Sequence, residues 1–168
     1  DRPSVLLKEF GKERKAGWWV LAPGDDGPLE RLGPEVLSDG FATWVRETDD
    51  ARRVHNGLVD KRPAVTAQCA GSADIAQAVR FARERSLEIA VRGGGHGVAG
   101  TGVSEGGLVV DLRRMNGVQV DPEARLARVS GGATWADFDR ACQPHGLATT
   151  GGRVSTTGVA GLTLGGGS

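Results

Sequence analysis

The stretch Arg92-Gly93-Gly94-Gly95-His96-Gly97-Val98-Ala99-Gly100 decides how this sequence folds and what it binds. It follows a predicted strand and concentrates glycines in one short loop. Consecutive backbone N–H groups in such a loop form a concave nest for anions, and missing side chains let a ligand approach the backbone closely. Arg92 can add charge-assisted hydrogen bonds to a phosphate. The loop therefore indicates a phosphate site, with a ligand-free turn between two strands as the open alternative.

The same loop contains the letters GxGxxG, at Gly95, Gly97 and Gly100. In a Rossmann domain this motif opens a helix whose N-terminus holds a pyrophosphate. Here the following residues, 101–107, are interrupted by glycines and are too short for a crossover helix before the next strand. The sequence also lacks the GxxxxGK[ST] pattern of a P-loop. Neither of these nucleotide-binding motifs is therefore expected.

A second glycine-rich segment spans residues 151–167 and contains Arg153 as its single charged residue. The sequence has 27 glycines, and most of them follow residue 90. A surface loop without a ligand normally carries more charge, so two charge-poor glycine segments favour a large ligand that lies along the backbone. The final Gly-Gly-Gly-Ser has a second interpretation, a linker or a disordered tail.

Bulk composition excludes several classes of protein. The 168 residues are 39% hydrophobic and 25% charged, which is typical of a single folded domain. Lys and Arg total 21, as do Asp and Glu, so the zero net charge gives no support to a nucleic-acid or membrane-surface partner. No apolar run approaches the ~20 residues of a membrane span, and no signal peptide is visible. A cytoplasmic location is expected.

Cysteine and histidine spacing argues against a metal site. Cys69 and Cys142 form no CxxC pair, and the histidines show no HExxH spacing. The cysteines are expected to be small buried hydrophobic residues. His55 and His145 lack any partner pattern and are expected to be ordinary surface residues.

Hydrophobic periodicity predicts an α+β fold of two small layered units. Thr134 and Asp137 match a capping box that opens a helix ending near Pro144 and Gly146. Ser72 is expected to cap another helix, which ends near Ser86. The other predicted elements are a helix within 41–54, strands at 64–69, 88–92 and 107–112, and a hairpin of 118–120 with 125–129.

Three of these segments together resemble the berberine-bridge-enzyme-like flavin oxidoreductases, of the vanillyl-alcohol oxidase / p-cresol methylhydroxylase (PCMH) superfamily. They are the loop of residues 92–100, the Gly131-Gly132-Ala133-Thr134-Trp135 segment and the run of residues 156–167. The resemblance covers about residues 50–168. It implies a PCMH-type FAD-binding domain over residues 62–168, truncated at its C-terminus. Its two small α+β subdomains would be residues 62–117 and, as the start of the second, 118–168, after an N-terminal segment, 1–61, of uncertain structure.

The resemblance also implies a cofactor site. In this family the loop histidine is bonded covalently to the 8α-methyl carbon of FAD, and the matching residue is His96. Many relatives attach FAD a second time through a cysteine, whose position is occupied here by Val154. Valine cannot form a thioether, so a single link is expected. The candidate cofactor-binding residues are Arg92, Gly93, Gly94, Gly95, His96, Gly97, Gly100, Gly152, Val154, Thr157, Gly158, Gly161, Leu164 and Gly165.

The chemistry that the resemblance implies is hydride transfer from an alcohol, a sugar or a similar small molecule to flavin N5, with molecular oxygen as the acceptor. Relatives place the catalytic base, often a tyrosine or a carboxylate, on a substrate domain farther along the chain. This sequence contains no tyrosine, and no catalytic residue is assigned in it. The alternative is a non-catalytic flavin-binding module, or a cofactor-free fragment without the substrate domain.

Overall fold

The computed structural model describes residues 43–45 and 52–167. Within them, one sheet contains β1 (Thr43–Val45), β2 (Val65–Gln68), β3 (Ile89–Arg92) and β4 (Leu108–Asp111), in the order β1-β2-β4-β3. The last three of these strands are parallel, and β1 pairs antiparallel with β2. The carboxyl ends of the parallel strands meet at one edge of the sheet, where open α/β sheets bind ligands. The first glycine loop leaves β3 at this edge.

Helix α1 (Ser72–Glu84) connects β2 to β3, as the sequence predicts. Its N-cap is Gly71 rather than Ser72, so the expected cap was one residue late. The Asp74 carboxylate explains the difference, because it accepts hydrogen bonds from the N–H groups of Ala70, at 2.7 Å, and Gly71, at 3.1 Å. The helix terminates before Ser86, which has a left-handed φ of 54°.

Both faces of the two central strands, β2 and β4, are covered. On one face, Phe81 and Ala78 of α1 pack against Val65, Leu108 and other buried residues of β2 and β4. The opposite face carries a smaller cluster of Val54, Ala90, Val103 and Val109, with Val59 packed against it. Burial on both faces explains why burial does not alternate along β2 and β4, whereas β3, at the edge of the sheet, exposes Ile89 and Val91.

The second unit contains the hairpin of β5 (Val118–Asp121) and β6 (Leu126–Val129) and the helix α2 (Trp135–Cys142). Trp135, Phe138 and Cys142 pack against valines of the hairpin. The capping box is confirmed, since the N–H of Asp137 donates to Thr134 Oγ1 and the N–H of Thr134 donates to the Asp137 carboxylate at 2.9 Å. A 3-10 turn, Gln143–His145, follows and ends at Gly146, whose φ is 62°.

Two expectations about secondary structure were wrong in part. Residues 43–45 of the helix predicted within 41–54 form the strand β1 instead, because they hydrogen-bond to the edge of β2, whereas residue 52 is helical. Residues 41, 42 and 46–51 of that prediction lie outside the described part of the chain. The second glycine segment, interpreted as a loop, contains the helix α3 (Val159–Gly165). The α+β fold class and the other predicted elements are confirmed.

Candidate functional site

The two glycine loops meet backbone to backbone at Gly94 and Gly158. A Cβ on Gly94 would lie 2.2 Å from the nitrogen of Gly158, and one on Gly158 would lie 2.4 Å from the nitrogen of Gly94. No side chain fits at either position. The glycines therefore bring together segments that are far apart in the sequence.

Helix α2 holds the second loop in place. The N–H of Trp135 donates to the carbonyl of Thr157 at 3.0 Å, and the N–H of Ala136 donates to the carbonyl of Ser155 at 2.9 Å. The loop thereby satisfies N–H groups in the first turn of α2, which have no partner within the helix. Through these bonds the second unit positions one wall of the site.

A groove with a volume of about 330 Å³ opens where the loops meet. Ten of the predicted cofactor residues line it: Arg92, Gly93, Gly94, Gly95, His96, Gly97, Thr157, Gly158, Gly161 and Gly165. Val91, Thr101, Gly102, Leu162 and Gly166 also line the groove and were not predicted. Each lies within two residues of a predicted position in the chain, so proximity to the motifs was the signal that could have identified them.

Backbone groups dominate the first loop's side of the groove. The N–H groups of residues 93–97 donate no hydrogen bond to any residue that the structure describes. Gly95 has a left-handed φ of 70°, which bends the loop. Successive N–H groups in a bent, side-chain-free loop are a preformed site for an anion such as a phosphate.

His96 is half-buried at the groove and has defined partners. Its Nε2 lies 2.8 Å from Oγ1 of Thr156, and its Nδ1 lies 3.5 Å from Oγ1 of Thr157. Burial, and secondarily the charge of His55, lower the pKa of His96 below its ordinary value of 6.5. The imidazole is therefore mostly neutral at neutral pH, and one of its two ring nitrogens then carries a lone pair.

His55 contacts His96 directly. Its ring stacks on the ring of His96, with centroids 4.0 Å apart and planes inclined by 15°. His55 is exposed, as expected, but its ring has a defined partner that was not expected. No local sequence signal marks this pairing, since 41 positions separate the residues in the chain. His145 is exposed, as expected.

Arg92 lies mostly beneath the loop. The residue is 5% exposed, and its guanidinium donates to the carbonyl of Arg53. A Cβ on Gly95 would lie 3.5 Å from Arg92 Nε, so the charged group is next to the loop backbone. Arg92 thus contributes positive charge below the nest and also fixes the segment around Arg53.

Four predicted cofactor residues lie outside the groove lining. Gly100 packs against Val59, and Gly152 packs against the indole of Trp135. Val154 and Leu164 have exposed side chains, at 48% and 88%. Their contact with a cofactor stays a prediction.

Other kinds of site receive no support from the described residues. Among residues 43–45 and 52–167, no group of three or more His, Cys, Asp or Glu side chains is placed to hold a metal ion. Within the same residues, no helix is both long enough and apolar enough to cross a bilayer. Cys69 and Cys142 are buried and unpaired with each other, as expected, and burial raises the pKa of the Cys69 thiol to about 12.

Comparisons with known proteins found a matching family and similar structures. A family profile described as "FAD binding domain" matches residues 63–168. The (R)-6-hydroxynicotine oxidase of Paenarthrobacter nicotinovorans is 37% identical over 142 residues, which cover 83% of this chain and 30% of that protein. The chain therefore spans less than a third of the length of this curated relative.

Solved structures show the same fold. The crystal structure of 6-hydroxy-D-nicotine oxidase from Arthrobacter nicotinovorans superposes with a TM-score of 0.70 at 33% identity, over 72% of this chain and 28% of that one. A berberine-bridge-enzyme-like protein of Physcomitrella patens gives a TM-score of 0.67 at 26% identity, over 74% and 29%. The resemblance stated from the sequence motifs is confirmed.

Proposed function

Because the chain belongs to the family of FAD-binding domains, we propose that the groove between its two glycine loops holds FAD. The unused N–H groups of residues 93–97 would bind the pyrophosphate, and Arg92 adds charge beneath them. Thr157 and the groove face of α3 would form the opposite wall. The residues present fit such a ligand, because glycines at the contact surface leave space that a Cβ would fill.

We also propose that FAD is bonded covalently to His96 and to no other residue of this chain. The support is the neutral imidazole at the groove, held by Thr156 and stacked on His55. Val154 has no sulfur with which to form a second link, and both cysteines are buried elsewhere.

The proposed activity is that of a FAD-dependent oxidoreductase. When bound, FAD supplies the hydride-accepting N5 position for an alcohol, a sugar or a similar small molecule, with molecular oxygen as the final acceptor. The part of this protein described here binds and orients the cofactor. No residue of it is assigned as the base that removes a substrate proton.

The observation that carries the proposal is that a histidine and a nest of backbone N–H groups without partners among the described residues line the same groove. The test is to express the protein at its natural length, precipitate it with acid and digest it with trypsin. We expect flavin colour in the pellet and the flavin mass on the peptide that contains His96. His96→Ala should bind FAD only reversibly, and His145→Ala is the matched control because its histidine lies on a separate turn.

Two results would count against these proposals in different ways. An unmodified His96 peptide from flavin-loaded protein would overturn the covalent bond alone. A colourless protein that folds and takes up no FAD would overturn the cofactor site and favour a cofactor-free module.

A further inference from the structure

A short segment of the chain, residues 53–56, lies along the outer side of the first glycine loop. The N–H of His55 donates to the carbonyl of Gly95 at 3.0 Å, directly before His96. The side-chain amide of Asn56 donates to the carbonyl of Val98 at 2.9 Å, two residues after His96. The segment is therefore bonded to the loop on both sides of the histidine.

The same segment is fixed from below. The guanidinium of Arg92 donates to the carbonyl of Arg53, and Val54 is buried in the cluster under the loop. Backbone bonds and apolar burial together determine where residue 55 lies. The exposed ring of His55 is thus held close to His96.

The imidazole of His96 is therefore contacted from two directions, at one face and at one edge. The face of the His96 ring lies on the ring of His55, and its edge meets the hydroxyl of Thr156 at Nε2. A face contact restricts tilting of the ring, and an edge contact restricts its rotation within the plane. A single residue in a glycine-rich loop would otherwise sample several rotamers.

We propose that His55 is a positioning residue for the attachment of FAD: its stacked ring holds the imidazole of His96 in the orientation that presents a ring nitrogen to the groove. This inference rests on the covalent link proposed above. In that attachment, a C–N bond replaces the N–H of the imidazole and one C–H of the 8α-methyl group. Two protons and two electrons leave, and molecular oxygen accepts them.

The position matters because bond formation requires the reacting atoms to be close and aligned, and small misplacements of an attacking group slow reactions strongly. Aromatic stacking supplies this restraint without using either nitrogen of His96. A ring at position 55 is therefore required, whereas a second imidazole is not. This distinction separates stacking from acid–base assistance by His55.

The experiment compares His55→Ala, His55→Phe and the control His145→Ala in the protein at its natural length, prepared without flavin. After FAD is added, the fraction of His96 peptide that carries the flavin mass is followed with time. We expect His55→Ala to attach FAD about tenfold more slowly, as loss of orientation predicts. His55→Phe and His145→Ala should stay close to the unaltered protein.

A second measurement needs no cofactor. In the flavin-free protein, the ring protons of His96 should show the upfield NMR shift that a stacked aromatic ring produces. His55→Ala should abolish this shift, and His55→Phe should retain it. This readout reports the stack itself and is independent of enzyme activity.

The outcomes are distinct. Equal attachment rates for the unaltered protein and His55→Ala would overturn the role of His55 while leaving the bond at His96 intact. Slow attachment in His55→Phe, equal to that of His55→Ala, would overturn positioning by stacking. If the unaltered protein binds FAD but forms no bond at His96, the covalent proposal itself fails, and the NMR result still shows whether the stack exists.

Discussion

Gly94 and Gly158 lie so close that a Cβ on either residue would stand 2.4 Å or less from the backbone nitrogen of the other. Gly94 lies in the loop that follows β3, and Gly158 lies between α2 and α3. Their contact therefore joins the two glycine-rich segments where the groove forms. Glycine at these positions is required for packing between protein segments, in addition to any approach by a ligand.

Gly94→Ala should disrupt this junction. The added methyl group meets backbone rather than the end of a flexible side chain, so one loop must move. Overpacking of this kind costs about 1–3 kcal/mol of unfolding free energy, and FAD affinity should fall as well because the groove changes shape. Denaturant unfolding and FAD titration measure the two effects. Gly57→Ala is the control, since a Cβ on Gly57 meets no atom within 4 Å.

Gly161→Ala should separate binding from folding. Gly161 lines the groove within α3, and a Cβ there has no atom within 4 Å. Alanine favours a helix by about 1 kcal/mol over glycine, so stability should stay equal or rise by up to that amount. The methyl group would nevertheless occupy space at the groove, and FAD affinity should decrease. Unchanged affinity with raised stability would show that the ligand does not approach this turn of α3.

Most of the fold could be predicted from the sequence, because the sequence signals for its helices, turns and strands are local. The Thr134–Asp137 capping box, the hairpin turn at Asp121 and the apolar runs of β2 and β4 each depend on neighbouring residues. The segment at residues 43–45 had no such signal, since its strand exists only by pairing with β2. The helix α3 was not predicted, because its segment is rich in glycine, which is a poor helix former, and because a helix of this length depends on tertiary contacts.

Most residues of the candidate site could also be predicted from the sequence. Motif residues predicted most of the groove lining, because the loop at residues 93–97 forms its nest from consecutive backbone groups. The partners of His96 were harder to find. Thr156 lies within the motif of residues 156–167, but nothing in the sequence indicated its contact with His96. His55 lies beside His96 only because the folded chain forms a hydrogen bond between His55 and Gly95.

Thr156→Val should slow flavin attachment at His96. The substitution removes the hydroxyl that lies 2.8 Å from Nε2 and keeps a similar volume. The ring then loses its edge contact, so the attachment rate should fall by about threefold to tenfold, corresponding to the ~1 kcal/mol of a typical hydrogen bond. Thr156→Ser keeps the hydroxyl and should restore the rate. Equal rates in both variants would show that the hydroxyl has no part in holding the ring. Mass spectrometry of the His96 peptide supplies the measurement.

Asp137→Asn should weaken the start of α2 in a pH-dependent way. Hydrogen bonds from the backbone and side chain of Thr134, and then from Arg140, lower the pKa of Asp137 below its ordinary value of 3.8. A lowered carboxyl pKa stabilises the fold above 3.8, and this stabilisation disappears as the pH falls through the folded-state value. Loss of the charged capping group costs roughly 1 kcal/mol at neutral pH. Unfolding curves of the two proteins should therefore differ at pH 7 and converge in acid, and a difference that persists in acid would contradict this explanation.

His96 should make the flavin-free protein less stable in mildly acidic solution. Its pKa lies below 6.5 in the folded state, so the unfolded chain takes up a proton first as the pH falls. Stability from the neutral imidazole is complete above 6.5 and declines from there down to the folded-state pKa. His96→Gln should lack this part of the pH dependence.

In His55→Phe the pKa of His96 should rise but stay below 6.5, because burial lowers it more than the charge of His55 does. NMR titration of the ring protons measures both values, and a pKa at or above 6.5 in the unaltered protein would contradict the effect of burial on this ring.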